Sequence, residues 1–215
     1  MYSNNMRKNV LVFDFDGTIA DTFNYIVMVS NKLSDEFNFR KIESHEIVHL
    51  KDKTSQEMIH HLKVPIMKIP LIVAKAKNEL QKDISSIQPV AGLKEILEQV
   101  KALGHTIGIL TSNSSENVEK FLQNNDLNFF DFISCTSKIW SKNTSINNLM
   151  SSMGLEPSEV LYIGDETRDI VAAKKSGITV AEVTWGYNSP KALQSYHPDF
   201  LLNKPEDLIG ILGLL

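Results

Sequence analysis

The run Val10-Leu11-Val12-Phe13 is β-branched and aromatic, and it stops at the polar string Asp14-Phe15-Asp16-Gly17-Thr18. That pattern predicts a buried strand ending in a turn. After Gly92 a rhythm begins. Leu93, Ile96, Leu97, Val100 and Leu103 recur at helical spacing, with Gly104 as the stop. A short apolar strand over Thr106 to Leu110 follows, then the turn Ser112-Asn113-Ser114, then a helix carrying Val118, Phe121 and Leu122. Phe132 to Cys135 reads as another strand. Ile146, Leu149, Met150 and Met153 line one face of a third helix, ended by Gly154. The strand Val160 to Ile163 breaks at Gly164-Asp165, Thr167 to Ser176 is helical with Gly177 behind it, and Ile178 to Val183 closes the series. Strands alternating with helices of roughly 10 residues predict an α/β fold, a parallel sheet with helices on both faces. The polar tips after Phe13, Leu110 and Ile163 all lie at strand C-termini, the edge where open α/β sheets bind ligands.

From about Asp21 to Ile87 the rhythm breaks. No strand pattern is present, but Phe23, Ile26, Val27, Ser30, Leu33 and Phe37 form a mostly apolar helical stripe. A second helix is expected from an N-cap at Ser44, and a third over Pro70 to about Ile84. Pro89 marks the return to the sheet. The expected organisation is a discontinuous core, 1–20 and 88–215, with an all-helical insertion over 21–87.

Composition narrows the classes. Hydrophobic residues at 42% and charged ones at 22% set aside disordered and fibrous chains. A formal charge of −4 gives no basic field, which argues against nucleic acid or an anionic membrane as partner. The first residues carry no signal-like pattern, and no apolar stretch approaches a membrane span. Cys135 is the single cysteine, so no intrachain disulfide forms and a cytoplasmic setting is expected. Its apolar neighbours predict a buried strand thiol.

The sharpest chemical signal is Asp14-Phe15-Asp16-Gly17-Thr18. Two carboxylates at a strand end, where the chain turns, can address one ligand from different sides, and the glycine permits the turn. With its flanks, Val-Phe-Asp-Phe-Asp-Gly-Thr-Ile-Ala-Asp-Thr resembles the first motif of the haloacid dehalogenase-like hydrolases, in their phosphoglycolate-phosphatase-like branch. Ile-Leu-Thr-Ser-Asn-Ser resembles the second motif, with Ser112 in the hydroxyl position. Ser141-Lys142-Asn143-Thr144 resembles the third, and Leu-Tyr-Ile-Gly-Asp-Glu-Thr-Arg-Asp-Ile over 161–170 the fourth, acidic one.

The resemblance implies a Rossmann-like core, a helical cap where the insertion falls, and a magnesium-dependent phosphatase. Asp14 would be the nucleophile and Asp16 the general acid and base. Mg2+ would be held by the Asp14 carboxylate, the Asp16 carbonyl and Asp165, with Asp169 behind or through water. Phosphate would lie against Gly17, Thr18, Ser112, Asn113 and Lys142. A carboxylate repelled by a phosphomonoester dianion needs such cations before it can attack. Dehalogenases lack the second aspartate, so Asp16 disfavours that chemistry. The expected substrate is a small phosphorylated metabolite, phosphoglycolate or a sugar phosphate being examples. A phosphomutase of the β-phosphoglucomutase type would share the nucleophile and the acid/base pair.

Other features compete or remain open. Lys142 is followed by asparagine where the branch has proline, and Lys138 is a rival; Lys142 is preferred because it lies at a helix mouth. His45-Glu46-Ile47-Val48-His49 matches the zinc-hydrolase pattern H-E-x-x-H. It falls in a helical insertion with no strand nearby, and Glu46 in a first helical turn already has an electrostatic reason. Trp185-Gly186-Tyr187 is expected at the rim of the site, as a packed loop. In the insertion, Lys51 is the candidate contact for an anionic substrate group, set against an ordinary solvated turn.

Overall fold

The structure, a computed structural model, describes residues 10–136 and 142–214. The apolar runs become strands β1 (Val10–Phe13), β2 (Thr106–Thr111), β3 (Phe132–Cys135), β4 (Val160–Gly164), β5 (Thr179–Val183) and β6 (Phe200–Leu202). They pair in parallel in the order β3-β2-β1-β4-β5-β6. Side chains alternate across a strand, so each run serves both faces. Leu11 and Phe13 join one apolar cluster with helices α5 (Leu93–Ala102), α6 (Ser115–Asn124) and α10 (Asp207–Leu212). Val10, Val12 and Tyr162 join another with α7 (Lys142–Met153), α8 (Thr167–Ser176) and α9 (Pro190–Ser195). Burial on both faces is why these runs are apolar throughout rather than alternating.

β1 has β2 on one side and β4 on the other. Successive connections therefore leave in opposite directions and open a crevice at the C-terminal ends of β1 and β4.

Between β1 and α5 lie α1 (Phe23–Phe37), α2 (Ile47–Leu50), α3 (Ser55–His61) and α4 (Ile69–Asp83), with short 3-10 turns between them. The chain leaves and returns side by side. Asp21 N–H donates to the Gln88 carbonyl at 3.0 Å and Val90 N–H to the Ile19 carbonyl at 2.9 Å. Among the described residues no helix is long and apolar enough to cross a membrane.

Three expectations are corrected. The series does not close at Val183: β6 adds a sixth strand, flanked by α9 and α10. Three partly or fully buried residues at a sheet edge are too short a run to register as a period. Cys135 is exposed rather than buried, because it is the last residue of edge strand β3. Ser44 is the first residue of a 3-10 turn whose cap is Glu43, closed by Glu43 N–H on Glu46 Oε1 at 2.9 Å.

Candidate active site

Asp14 directly follows β1. Its N–H still pairs with the Ile163 carbonyl of β4 at 2.8 Å, which fixes it beside the strand that leads into Asp165. Phe15 is fully buried, edge-on to Phe121 at 5.0 Å between ring centres, so it anchors the loop from below. The chain then turns at Gly17, whose φ is +80°. A Cβ there would stand 2.3 Å from Asp165 Oδ2 and from the Tyr187 ring, so glycine is required by backbone and by space alike.

The carboxylates are pinned from several elements. Asp14 Oδ1 accepts the Phe15 N–H at 2.8 Å, and Oδ2 accepts Lys142 Nζ at 2.5 Å. Lys142, at the start of α7, also donates to Asp169 Oδ1. Asp169 Oδ2 accepts the N–H groups of Asp165 and Glu166 at 3.2 and 3.1 Å, closing the capping box of α8. Asp165 accepts the Thr18 hydroxyl on Oδ1 and the Tyr187 N–H on Oδ2, both at 2.7 Å. Asp16 Oδ2 accepts Asn113 Nδ2 at 3.0 Å.

These placements set the charges. Burial pushes the Asp14 carboxyl up, Lys142 opposes this and Asp169 adds to it, leaving it above its ordinary value. Burial, then Glu166 and Asp14, holds Asp165 well above its ordinary value. Burial works against the Lys142 ammonium, but Asp14 and Asp169 overcome it and keep the group charged. Asp16 is pushed up to about 6 by desolvation and by Asp14, against hydrogen bonds from Asn113 and Thr22. A carboxyl poised there can hold a proton near neutrality and give it up.

Asp14, Asp165 and Asp169 present carboxylate oxygens within 4.8 Å of one another. Of the three buried acids, Asp14 and Asp169 share the Lys142 ammonium while Asp165 has no cation of its own among the described residues, and the nearby Arg168 is paired with Glu166. The excess of negative charge and the all-oxygen donor set fit a hard divalent cation.

Of the residues expected from sequence, the fold gathers Asp14, Asp16, Thr18, Asn113, Lys142, Asp165 and Asp169. Ser112 lies just past β2, its carbonyl accepting from Lys77 of α4. Lys138 lies outside the described residues. Lys51 is only partly exposed: its Nζ donates to the Gly186 carbonyl at 2.7 Å and stands 4.1 Å over the Phe23 ring. In the H-E-x-x-H stretch His45 and His49 are exposed, while Glu46 is buried. Glu46 accepts Arg40 at 2.6 Å and lies 3.3 Å from His61, which gives it a packing role in the insertion.

Several participants were missed. Arg168, inside the fourth motif, pairs with Glu166 beside the acids. The sequence puts Tyr187 in a packed loop at the rim; in the structure its N–H holds Asp165 and its hydroxyl lies 3.0 Å from Thr22 Oγ1. Glu182 of β5 is fully buried with neither carboxylate oxygen partnered among the described residues, and a lone acid inside an apolar strand is its available signal. Ser55 of α3 donates to Glu166 Oε2 at 2.9 Å, and Asn188 Nδ2 donates to the carbonyls of Lys51 and Lys53 at 2.9 and 2.8 Å. The insertion is thus hydrogen-bonded to the loop that carries the acidic motif.

Comparison with known proteins gives a consistent picture. Residues 11–183 match the family model described as haloacid dehalogenase-like hydrolase. A phosphoglycolate phosphatase of Synechococcus elongatus is 30% identical over 200 residues, covering 93% of this chain and 94% of that one. The pyrophosphatase PpaX of Bacillus velezensis is 24% identical over 97% of this chain and 98% of its own. A crystal structure from Clostridium acetobutylicum, described as a predicted phosphatase, superposes with a TM-score of 0.82 at 20% identity, covering 97% of this chain and all of that one.

Proposed function

The chain belongs to the haloacid dehalogenase-like hydrolases, and from that premise we propose that it is a magnesium-dependent phosphatase for a small phosphomonoester, working through an aspartyl phosphate on Asp14. The observation that carries this reading is the Lys142 ammonium bridging Asp14 and Asp169, with an acid raised to about 6 two residues beyond the nucleophile. One buried cation shared by two carboxylates favours the ionised form of Asp14 against the effect of burial and aims it, and attack on phosphorus needs both.

Asp14, Asp165 and Asp169 would hold the metal, together with the Asp16 carbonyl. When bound, Mg2+ supplies positive charge against the phosphoryl oxygens. In the proposed sequence an Asp14 oxygen bonds to phosphorus as the bond to the ester oxygen breaks, and Asp16 gives that oxygen its proton. Water then attacks the aspartyl phosphate, Asp16 takes its proton, and the bond from phosphorus to Asp14 breaks to release phosphate. Ser112, Asn113, Gly17 and Thr18 would line the phosphate. Residues 21–87 act as the cap, and Lys51, facing the acidic loop, is its proposed substrate contact. A cytoplasmic setting suits a metabolite substrate.

The test is phosphate release from a panel of phosphorylated metabolites, pyrophosphate included, with Mg2+ and with EDTA. Wild type is expected to turn over at least one ester only with metal, and Asp14→Asn to turn over none. Substantial hydrolysis by pure Asp14→Asn would end the covalent mechanism.

A further inference from the structure

Beside the acidic loop, inside the insertion, lies a cavity of about 350 Å³. That is within the range of small-molecule sites, roughly 300–1,000 Å³. Its body is apolar, built by Ile26 and Val27 of α1, Met58 and Ile59 of α3, and Ile72 and Val73 of α4. All six are only half-buried; they share the cavity wall with the buried Val29 and Leu33, which with Phe37 form the small packed cluster of α1. The sequence therefore supplies the insertion with more apolar side chains than its packed cluster uses, and the surplus faces one shared space. Apolar surface lining a space is unfavourable unless something apolar fills it.

The charged groups sit at one edge, beside the acidic loop that carries Asp165. Lys51, Lys53, Glu166, Arg168 and Tyr187 line that edge. Tyr187 is the shared wall: its N–H binds Asp165, its hydroxyl meets Thr22, and its ring packs edge-on against Phe23 at 5.5 Å. Lys51 and Arg168 are already engaged, by the Gly186 carbonyl and by Glu166. The charge is thus confined to the edge beside the acidic loop, and elsewhere the wall is apolar apart from the hydroxyls of Ser30 and Ser55, too few to solvate a carboxylate or a row of hydroxyls.

We propose that this cavity receives the leaving group, and that the preferred substrate is the phosphate monoester of an apolar alcohol, alkyl or aryl, rather than of a charged or polyhydroxylated one. The inference rests on the phosphatase reading above. The chemical step is unchanged: the bond from phosphorus to the ester oxygen breaks, Asp16 protonates that oxygen, and the neutral alcohol is left in the cavity.

The test is kcat/KM along n-alkyl phosphates from ethyl to hexyl, with phosphoglycolate alongside. Each methylene that enters the cavity should raise kcat/KM about threefold to fourfold, on the order of a hundredfold across the series. Phosphoglycolate should fall below butyl phosphate. Met58→Trp, which fills the cavity, should flatten the slope; the hexyl-to-ethyl ratio within one preparation is independent of the folded fraction. Turnover with a flat or falling series would overturn the cavity assignment while leaving the phosphatase reading intact. Calorimetric titration with hexylphosphonate and methylphosphonate separates the reverse case. No turnover of any ester, with clearly tighter binding of hexylphosphonate, would sink the phosphatase reading and keep the cavity. Equal binding of the two phosphonates would sink the cavity.

Discussion

Lys142→Met keeps the length and most of the bulk of the side chain and deletes one charge. In the folded protein that charge lies between Asp14 and Asp169, with 11% of the lysine side chain exposed, 6% of Asp14 and none of Asp169. It also stands 5.1 Å over the ring of Tyr162. Removing one partner of a buried ion pair leaves uncompensated charge, at a cost of about 3–5 kcal/mol. For a chain of this size each kcal/mol lowers Tm by about 2–4 °C, so a fall of about 6–20 °C is expected in metal-free buffer. Because the fold raises the Lys142 pKa, the ammonium is present at every pH below its ordinary value. The penalty should therefore be similar across the neutral range. Mg2+ supplies a replacement charge and should recover part of the loss, about 2.7 kcal/mol at a hundred times its Kd. Activity should drop about 10²–10³-fold, the usual effect of losing one preorganised group that stabilises developing charge. Calorimetry with and without Mg2+, and phosphate release for Lys142→Met and Lys138→Met, measure both effects. A Lys142→Met protein within 2 °C and tenfold of wild type, on the scale of those estimates, would refute the bridge.

Asp16→Asn should lower kcat/KM for alkyl phosphates by about 10²–10⁴-fold and that for p-nitrophenyl phosphate far less, since kcat/KM reports the first transfer and that leaving group needs no proton. With Asp16 raised to about 6, the acid is in place below that pH and is lost as pH rises through it. The alkaline limb of kcat/KM for alkyl phosphates should therefore vanish in Asp16→Asn; a surviving limb would belong to another group. Gly186→Ala would put a Cβ 2.3 Å from Asp165 Oδ2 and is expected to raise the Mg2+ needed for half-maximal activity about tenfold or more. An unchanged metal titration would remove Asp165 from the metal site. Glu182→Met deletes a buried acid whose oxygens have no partner among the described residues, worth about 1–3 kcal/mol, so Tm should rise by about 2–12 °C at neutral pH. Burial first, then Asp169 and Asp165, raises the Glu182 pKa above its unfolded value of 4.5. The native state therefore loses stability as pH climbs past that value, and the gain should shrink toward pH 4. A lower Tm would mean that the acid has a partner.

Much of the protein was legible along the chain because the relevant signals are local. An apolar run ending in Asp-Phe-Asp-Gly-Thr specifies a buried strand and a turn, and the same logic located Asp165 after Val160–Ile163. Helix Thr167–Ser176 was readable from its spacing and from Gly177 behind it. Fold class and the acidic motif follow from patterns no longer than about ten residues, and the proposed nucleophile and acid/base lie in one such run. Other features depend on contacts across long separations, and only the tertiary structure decided them. Strand β6 has too few residues to announce itself, and it exists because β5 offers an edge to pair with. Cys135 looked buried among apolar neighbours and is exposed because β3 lies at the edge, a matter of strand order. Glu46 matched a metal motif by spacing, yet its role comes from Arg40 and His61. The identity of the substrate depends most on the fold. Single apolar residues on α1, α3 and α4 read as ordinary helix faces, and only their packing shows that they surround a cavity instead of closing into a core.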